Sequence, residues 1–145
     1  MSAPQSQVVL QAALTDLLDL GLQAKQAHWN VQGPNFRSVH LELDEVVSSL
    51  LGWQDDVAER IAAIGGSPDG RPVTIVQTSQ VEPLSSGHLA ADLVVKLFAS
   101  RLDAAARRIE AKLGELDADL PSQDILIGTV AGLDKAAWFF HAQLV

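Results

Sequence analysis

Cysteine is absent from all 145 residues. Disulfides, thiolate metal sites and thiol nucleophiles are therefore excluded, and the chain suits a reducing compartment or a redox-stressed setting. Long apolar runs are missing too. None approaches the ~20 residues a membrane span needs. The opening MSAPQSQ has no basic stretch followed by an apolar one, so no secretory signal is expected and the expected location is the cytoplasm. Basic residues are few: ten Lys and Arg against eighteen Asp and Glu, a net charge of −8. None precedes Lys25 and none follows Lys135. Such a surface draws cations more than it draws nucleic acid.

What is present is helical. Hydrophobic residues make up 48% of the chain and charged residues 19%, which fits one soluble domain over 1–145 with a real core. Val9, Leu10, Leu14, Leu17, Leu18 and Leu22 recur at spacings of three and four, predicting an amphipathic helix over 5–32. Gly33-Pro34-Asn35 breaks it. A second helix is expected from Phe36 to Ile64, ending at Gly65-Gly66-Ser67-Pro68. Residues 65–86 form a long connection with a short helix or extended piece near Val73–Ser79. A third helix is expected from a cap at Ser85 or Ser86 to Glu115, and a fourth from a cap at Ser122 to Leu144. Two helices, a long crossover and two more helices suggest an all-α, ferritin-like four-helix bundle; an up-down bundle with an ordered surface loop is the alternative.

The second helix carries two stripes. With His40 set at 0° and ~100° per residue, Asp44 falls near ~40°, Asp55 near ~60° and Glu59 near ~100°. The apolar Leu43, Val46, Val47, Leu50, Val57, Ile61 and Ile64 occupy another arc. Asp44 lies four residues from His40, and Glu59 four from Asp55, spacings of ~5–6 Å that let each pair share an ion. His40 and Asp55 are fifteen residues apart, about 22 Å along the axis, so no single ion bridges them. One chain thus carries two half-sites. A two-fold dimer with antiparallel copies of this helix would join them twice, because such an interface is isologous. His28 continues an inward stripe through Leu17 and Ala24, where a packed core histidine is the ordinary reading; for Asp55 and Glu59 it is a solvated face with Arg60 as partner. Together, imidazoles and carboxylates without thiolate suit iron or manganese, with zinc as a further option. The intrachain di-iron motif Glu-x-x-His does not occur.

The segment HWNVQGPNFRSVHLELD, residues 28–44, resembles the signature of the Dps family, the mini-ferritins. DDVAER at 55–60, IGGSP at 64–68 and LDKAAWFF at 133–140 extend the resemblance over nearly the whole chain. Gln54 departs from it, since an apolar residue is usual there. The resemblance implies a ferritin-like four-helix bundle with a short helix in the connection between helices two and three. It also implies a hollow dodecamer built from two-fold dimers. The implied activity is a ferroxidase with two iron ions at each intersubunit site: Asp55 and Glu59 of one chain and His28 of its partner hold one iron, and His40 and Asp44 help a second, weaker position. Fe²⁺ would be oxidised, preferably by hydrogen peroxide, and stored as ferric mineral, protecting against oxidative damage. Trp29 matches a tryptophan suggested as an electron donor, and interface packing is its other role.

Asp119 and Asp124 match positions lining three-fold pores, with helix capping as the other role for Asp124 and a solvated turn for Asp117 and Asp119. His88 and His141 match nothing and read as surface residues, His141 suiting a helix C-terminus. Some family members bind DNA through lysine-rich tails. Phosphate neutralisation dominates that affinity, so the expected direct DNA binding of this acidic chain is weak or absent, as a gel shift at ~150 mM salt would report. A nucleoid-compacting protein with little catalysis is the alternative function.

Overall fold

In a computed structural model, residues 3–145 are described; of the domain expected over 1–145, residues 1–2 lie outside the described part. Helix α1 spans Ala3–Asn30 and α2 spans Phe36–Ala63, joined by the expected turn. The turn works because Gly33 (φ 98°) and Asn35 (φ 68°) both take left-handed conformations, which glycine and asparagine tolerate best. Helix α3, Pro72–Thr78, sits in the long connection; α4 spans Ala91–Glu110 and α5 spans Leu120–His141. Short 3-10 turns follow α4 at Leu113–Leu116 and α5 at Ala142–Leu144.

Two helix caps differ from expectation, and α4 and α5 end at Glu110 and His141, short of the expected Glu115 and Leu144. Helix α4 starts at Ala91, not at Ser85 or Ser86. Gly87 is left-handed (φ 90°), and Leu89–Ala90 (β2) instead pairs in parallel with Val31–Gln32 (β1). That contact with a distant segment holds the chain extended where local residues would allow a cap. Helix α5 is capped by Asp119, not Ser122. Pro121 occupies the first turn, where its missing N–H costs nothing. Ser122 is buried one turn inside and gives its backbone N–H and its hydroxyl to Asp119.

The short β1–β2 pair also fixes the topology. It places the start of α4 beside the end of α1, at the end of the bundle where α2 begins. The connection from the far end of α2 therefore runs back along the whole bundle, and α2 and α4 are parallel. This is the ferritin-like arrangement rather than the up-down one. Polar side chains of α1 and α4 hold the crossover down. Gln11 pairs with the backbone of Asp69, Asp16 accepts from the N–H of Gln80, and the buried Arg101 donates to the carbonyls of Glu82 and Pro83. The apolar interior is built from Leu10, Leu17, Leu43, Leu50, Phe98, Leu102, Leu126, Leu133 and Phe140, all 0% exposed. Leu22, expected among the core residues of α1, is instead 61% exposed.

Candidate metal centre

Helix α1 delivers His28 in its last turn and α2 delivers His40 in its second. The turn between them folds the two imidazoles face to face, with ring centroids 3.7 Å apart and planes 11° from parallel. Each ring is anchored by the other residue's backbone. His28 Nδ1 donates to the carbonyl of His40 at 2.6 Å, and His40 Nδ1 donates to the carbonyl of His28 at 2.7 Å. A carbonyl only accepts, so each ring donates from Nδ1, and the neutral form of such a ring keeps its lone pair on Nε2. Hydrogen bonding of one ring nitrogen to leave the other for a metal is the usual support of histidine ligands. The His28 carbonyl is also one of the orphan acceptors at the end of α1, so His40 caps that helix while it is being oriented. Neither histidine is the fully enclosed core residue that a packing role would give; both are half-buried.

Asp44, one turn beyond His40, is exposed and pairs with Lys25 of α1 at 2.7 Å. The hydrogen bond from that ammonium holds the Asp44 carboxyl below the usual carboxylate range, helped by its charge and by His28 and His40, against a smaller opposing effect of burial. Lys25 was not singled out from the sequence. Its signal is only that it precedes His28 by three residues, one helical turn.

Asp55 and Glu59 sit further along α2, both exposed. Among the described residues no hydrogen bond or ion pair engages either side chain. Arg60, expected beside them, turns the other way: its Nη2 lies 3.0 Å from Asp119 and its Nε donates to Ser122. The structure therefore gathers His28, His40 and Asp44 at one end of the exposed stripe of α2 and leaves Asp55 and Glu59 unpaired toward the other. Among the described residues of one chain, no three His, Asp or Glu side chains converge on a common ion position.

Between the half-sites the surface is apolar. Leu51 is 59% exposed. Leu18, Leu22, Val47, Leu51, Pro72 and Ile75 line a cleft of about 300 Å³. Trp29, beside His28, is exposed. Of the expected pore residues, Asp124 is exposed on α5, whereas Asp119 is committed to its helix cap and to Arg60. His88 is exposed before β2, and His141 is exposed in the last turn of α5. Among the described residues, no helix is long and apolar enough to cross a membrane.

A family model described as a ferritin-like domain matches residues 8–145. The DNA protection during starvation protein of Mycolicibacterium smegmatis is 41% identical over 143 residues, 94% of this chain and 75% of that protein. The chain belongs to the Dps family. DNA protection during starvation protein 2 of Deinococcus radiodurans is 35% identical over 136 residues, covering 93% of this chain and 56% of the relative. Among solved Dps structures, one from Deinococcus radiodurans superposes with a TM-score of 0.94 at 33% identity, covering 97% of this chain and 86% of that one. A tetragonal form of Mycobacterium smegmatis Dps gives 0.92 at 34% identity, covering 98% and 87%. The Dps fold thus accounts for both the parallel α2–α4 arrangement and the crossover helix.

Proposed function

We propose that this Dps chain is a ferroxidase and iron-storage subunit whose dinuclear sites form between two-fold-related copies. The observation that carries the reading is the division of ligands on α2. Two imidazoles with free Nε2 atoms and Asp44 stand at one end; two unpaired carboxylates stand about 22 Å along the same helix. Unpaired Asp55 and Glu59 on one chain are what the His28 and His40 half-site of another lacks. Leu51 lies between the half-sites on the same stripe, so a two-fold axis near it would bury the exposed apolar cleft while closing both sites.

Iron is the substrate. Hard carboxylate oxygens and imidazole nitrogens suit Fe²⁺ and its ferric product. Two Fe²⁺ give two electrons to one hydrogen peroxide, which takes up two protons and leaves as two waters, so no one-electron step need release a hydroxyl radical. His28 of one chain with Asp55 and Glu59 of the other hold the first ion. His40 and Asp44 serve a second, weaker position, and iron arriving there competes with Lys25 for Asp44. Trp29 stands ready as an electron donor beside the centre. Asp124, repeated around a three-fold axis of a dodecameric shell, forms an acidic entry with Asp119 behind it, and ferric mineral collects inside. The net charge of −8 disfavours direct DNA binding by these residues; consuming Fe²⁺ and peroxide together gives the protein a protective role, which we assign to the cytoplasm.

The test is anaerobic mixing of the assembled protein with Fe²⁺ and hydrogen peroxide. Ferric absorbance should rise faster than in buffer, with two Fe²⁺ consumed per peroxide. Growth at the buffer rate would remove the ferroxidase reading and leave a shell that binds metal without turnover.

A further inference from the structure

Phe36 is the first residue of α2 and is 41% exposed, which core packing does not explain. Its ring stacks on His40, with centroids 4.9 Å apart and planes 23° from parallel. His40 in turn stacks on His28. The three rings form a column in which His40 is the middle member, gripped on both faces. The left-handed Asn35 and the hydrogen bond from the Phe36 N–H to the Gly33 carbonyl, 3.0 Å, set where the outer ring begins.

Two hydrogen bonds fix which nitrogen of each imidazole carries the proton, but a single bond through Nδ1 leaves a ring free to rock about that bond. Stacking removes the rocking. His28 is held on one face by His40; His40 is held on both, and Phe36 supplies the second. We propose that Phe36 is a positioning residue for this centre: it fixes the plane of the His40 imidazole, and so the direction of its Nε2 lone pair, without touching an ion. This inference rests on the reading of His40 as an iron ligand. An aromatic contact of this kind, and outer support of a metal-ligating histidine generally, is worth about tenfold in affinity.

Co²⁺ titrated into the assembled protein, read by its ligand-field absorption, tests both readings separately. A His40→Ala variant identifies the part of the signal that depends on that ring. Phe36→Leu and Phe36→Met, which keep bulk but lose the ring face, should weaken the His40-dependent binding about tenfold, while Phe36→Tyr should restore it. If wild type shows no His40-dependent signal, the metal centre itself is misplaced. If that signal is present and either assembled ring-less variant binds as wild type does, Phe36 has no positioning role. A crystal structure of the wild type with Co²⁺ bound decides the matter even where the variants do not assemble. Phe36 should still lie on His40, and a ring swung clear of the liganded imidazole would overturn the proposal.

Discussion

Glycines show how sharply single positions differ within the same packed helices. A Cβ built on Gly132 of α5 would lie 2.2 Å from Cζ2 of Trp53 on α2. That indole is a rigid plane half-buried between two helices, so it cannot give way locally. A Cβ on Gly21 of α1 would meet only the amide nitrogen of Gln54, at 2.8 Å. That amide ends a flexible side chain, and displacing it costs its bond to the Leu17 carbonyl. Alanine in place of a helical glycine gains up to about 1 kcal/mol of backbone propensity, which offsets one lost hydrogen bond of similar size. Gly21→Ala should therefore change stability little. Gly132→Ala should cost about 1–3 kcal/mol through overpacking and shift the Trp53 emission as the indole is pushed toward solvent. Urea unfolding followed by tryptophan fluorescence distinguishes the two; equal stability of both variants would show that α5 yields at Gly132. Gln54 is accommodated because Gly21 leaves room for its amide.

At the scale of the element, α5 depends on Asp119. Burial raises its pKa, but hydrogen bonds from Ser122, Ser6 and Arg60 outweigh that, and the carboxyl is held down at about 2. A folded-state pKa below the unfolded one gives stability that is present above the unfolded value, near 3.8, and is lost as pH falls through about 2. Allowing for solvent around the turn, the contribution is about 1–2 kcal/mol. Asp119→Ala should lose this together with the cap, and the gap between wild type and variant should shrink from pH 4 to pH 2. A gap independent of pH in denaturation series would show that Asp119 acts by shape alone.

The same helix shows what the sequence makes readable. Asp119 followed by Pro121 is a cap signal as good as Ser122, and local rules alone do not choose between them. What decides is a set of contacts between distant residues: Arg60, reaching over from α2, takes up the buried Ser122 hydroxyl with its Nε and pairs with Asp119 through its Nη2, which leaves the carboxylate at the cap. The late start of α4 has the same cause, since β1 lies some sixty residues earlier. Helix periods, the Gly33-Pro34-Asn35 break and the polar stripe on α2 were readable because they are local. Lys25 beside Asp44, Phe36 on His40 and the crossed histidine–carbonyl bonds were not, because they depend on how α1 leans on α2.

For the whole molecule, the question is whether the half-sites of different chains complete one another. In the proposed dimer, each centre takes its histidines from one chain and Asp55 with Glu59 from the other. His28→Ala spoils both centres of its homodimer, and so does Asp55→Ala. In a mixed dimer the outcome is asymmetric. One centre combines the defective histidine half with the defective acidic half, and the other combines two intact halves. Unfolding, mixing in equal amounts and reassembling the variants gives mixed dimers half the time, each with one working centre of two. The mixture should thus recover about a quarter of the wild-type rate of Fe²⁺ oxidation, while each variant alone stays near the buffer rate. Were the centre contained within single chains, no chain in the mixture would be intact, and reassembly would recover nothing. Full activity of either variant alone would place the chemistry on other residues. The outcome depends only on the pairing of two chains, whatever the number of dimers that assemble.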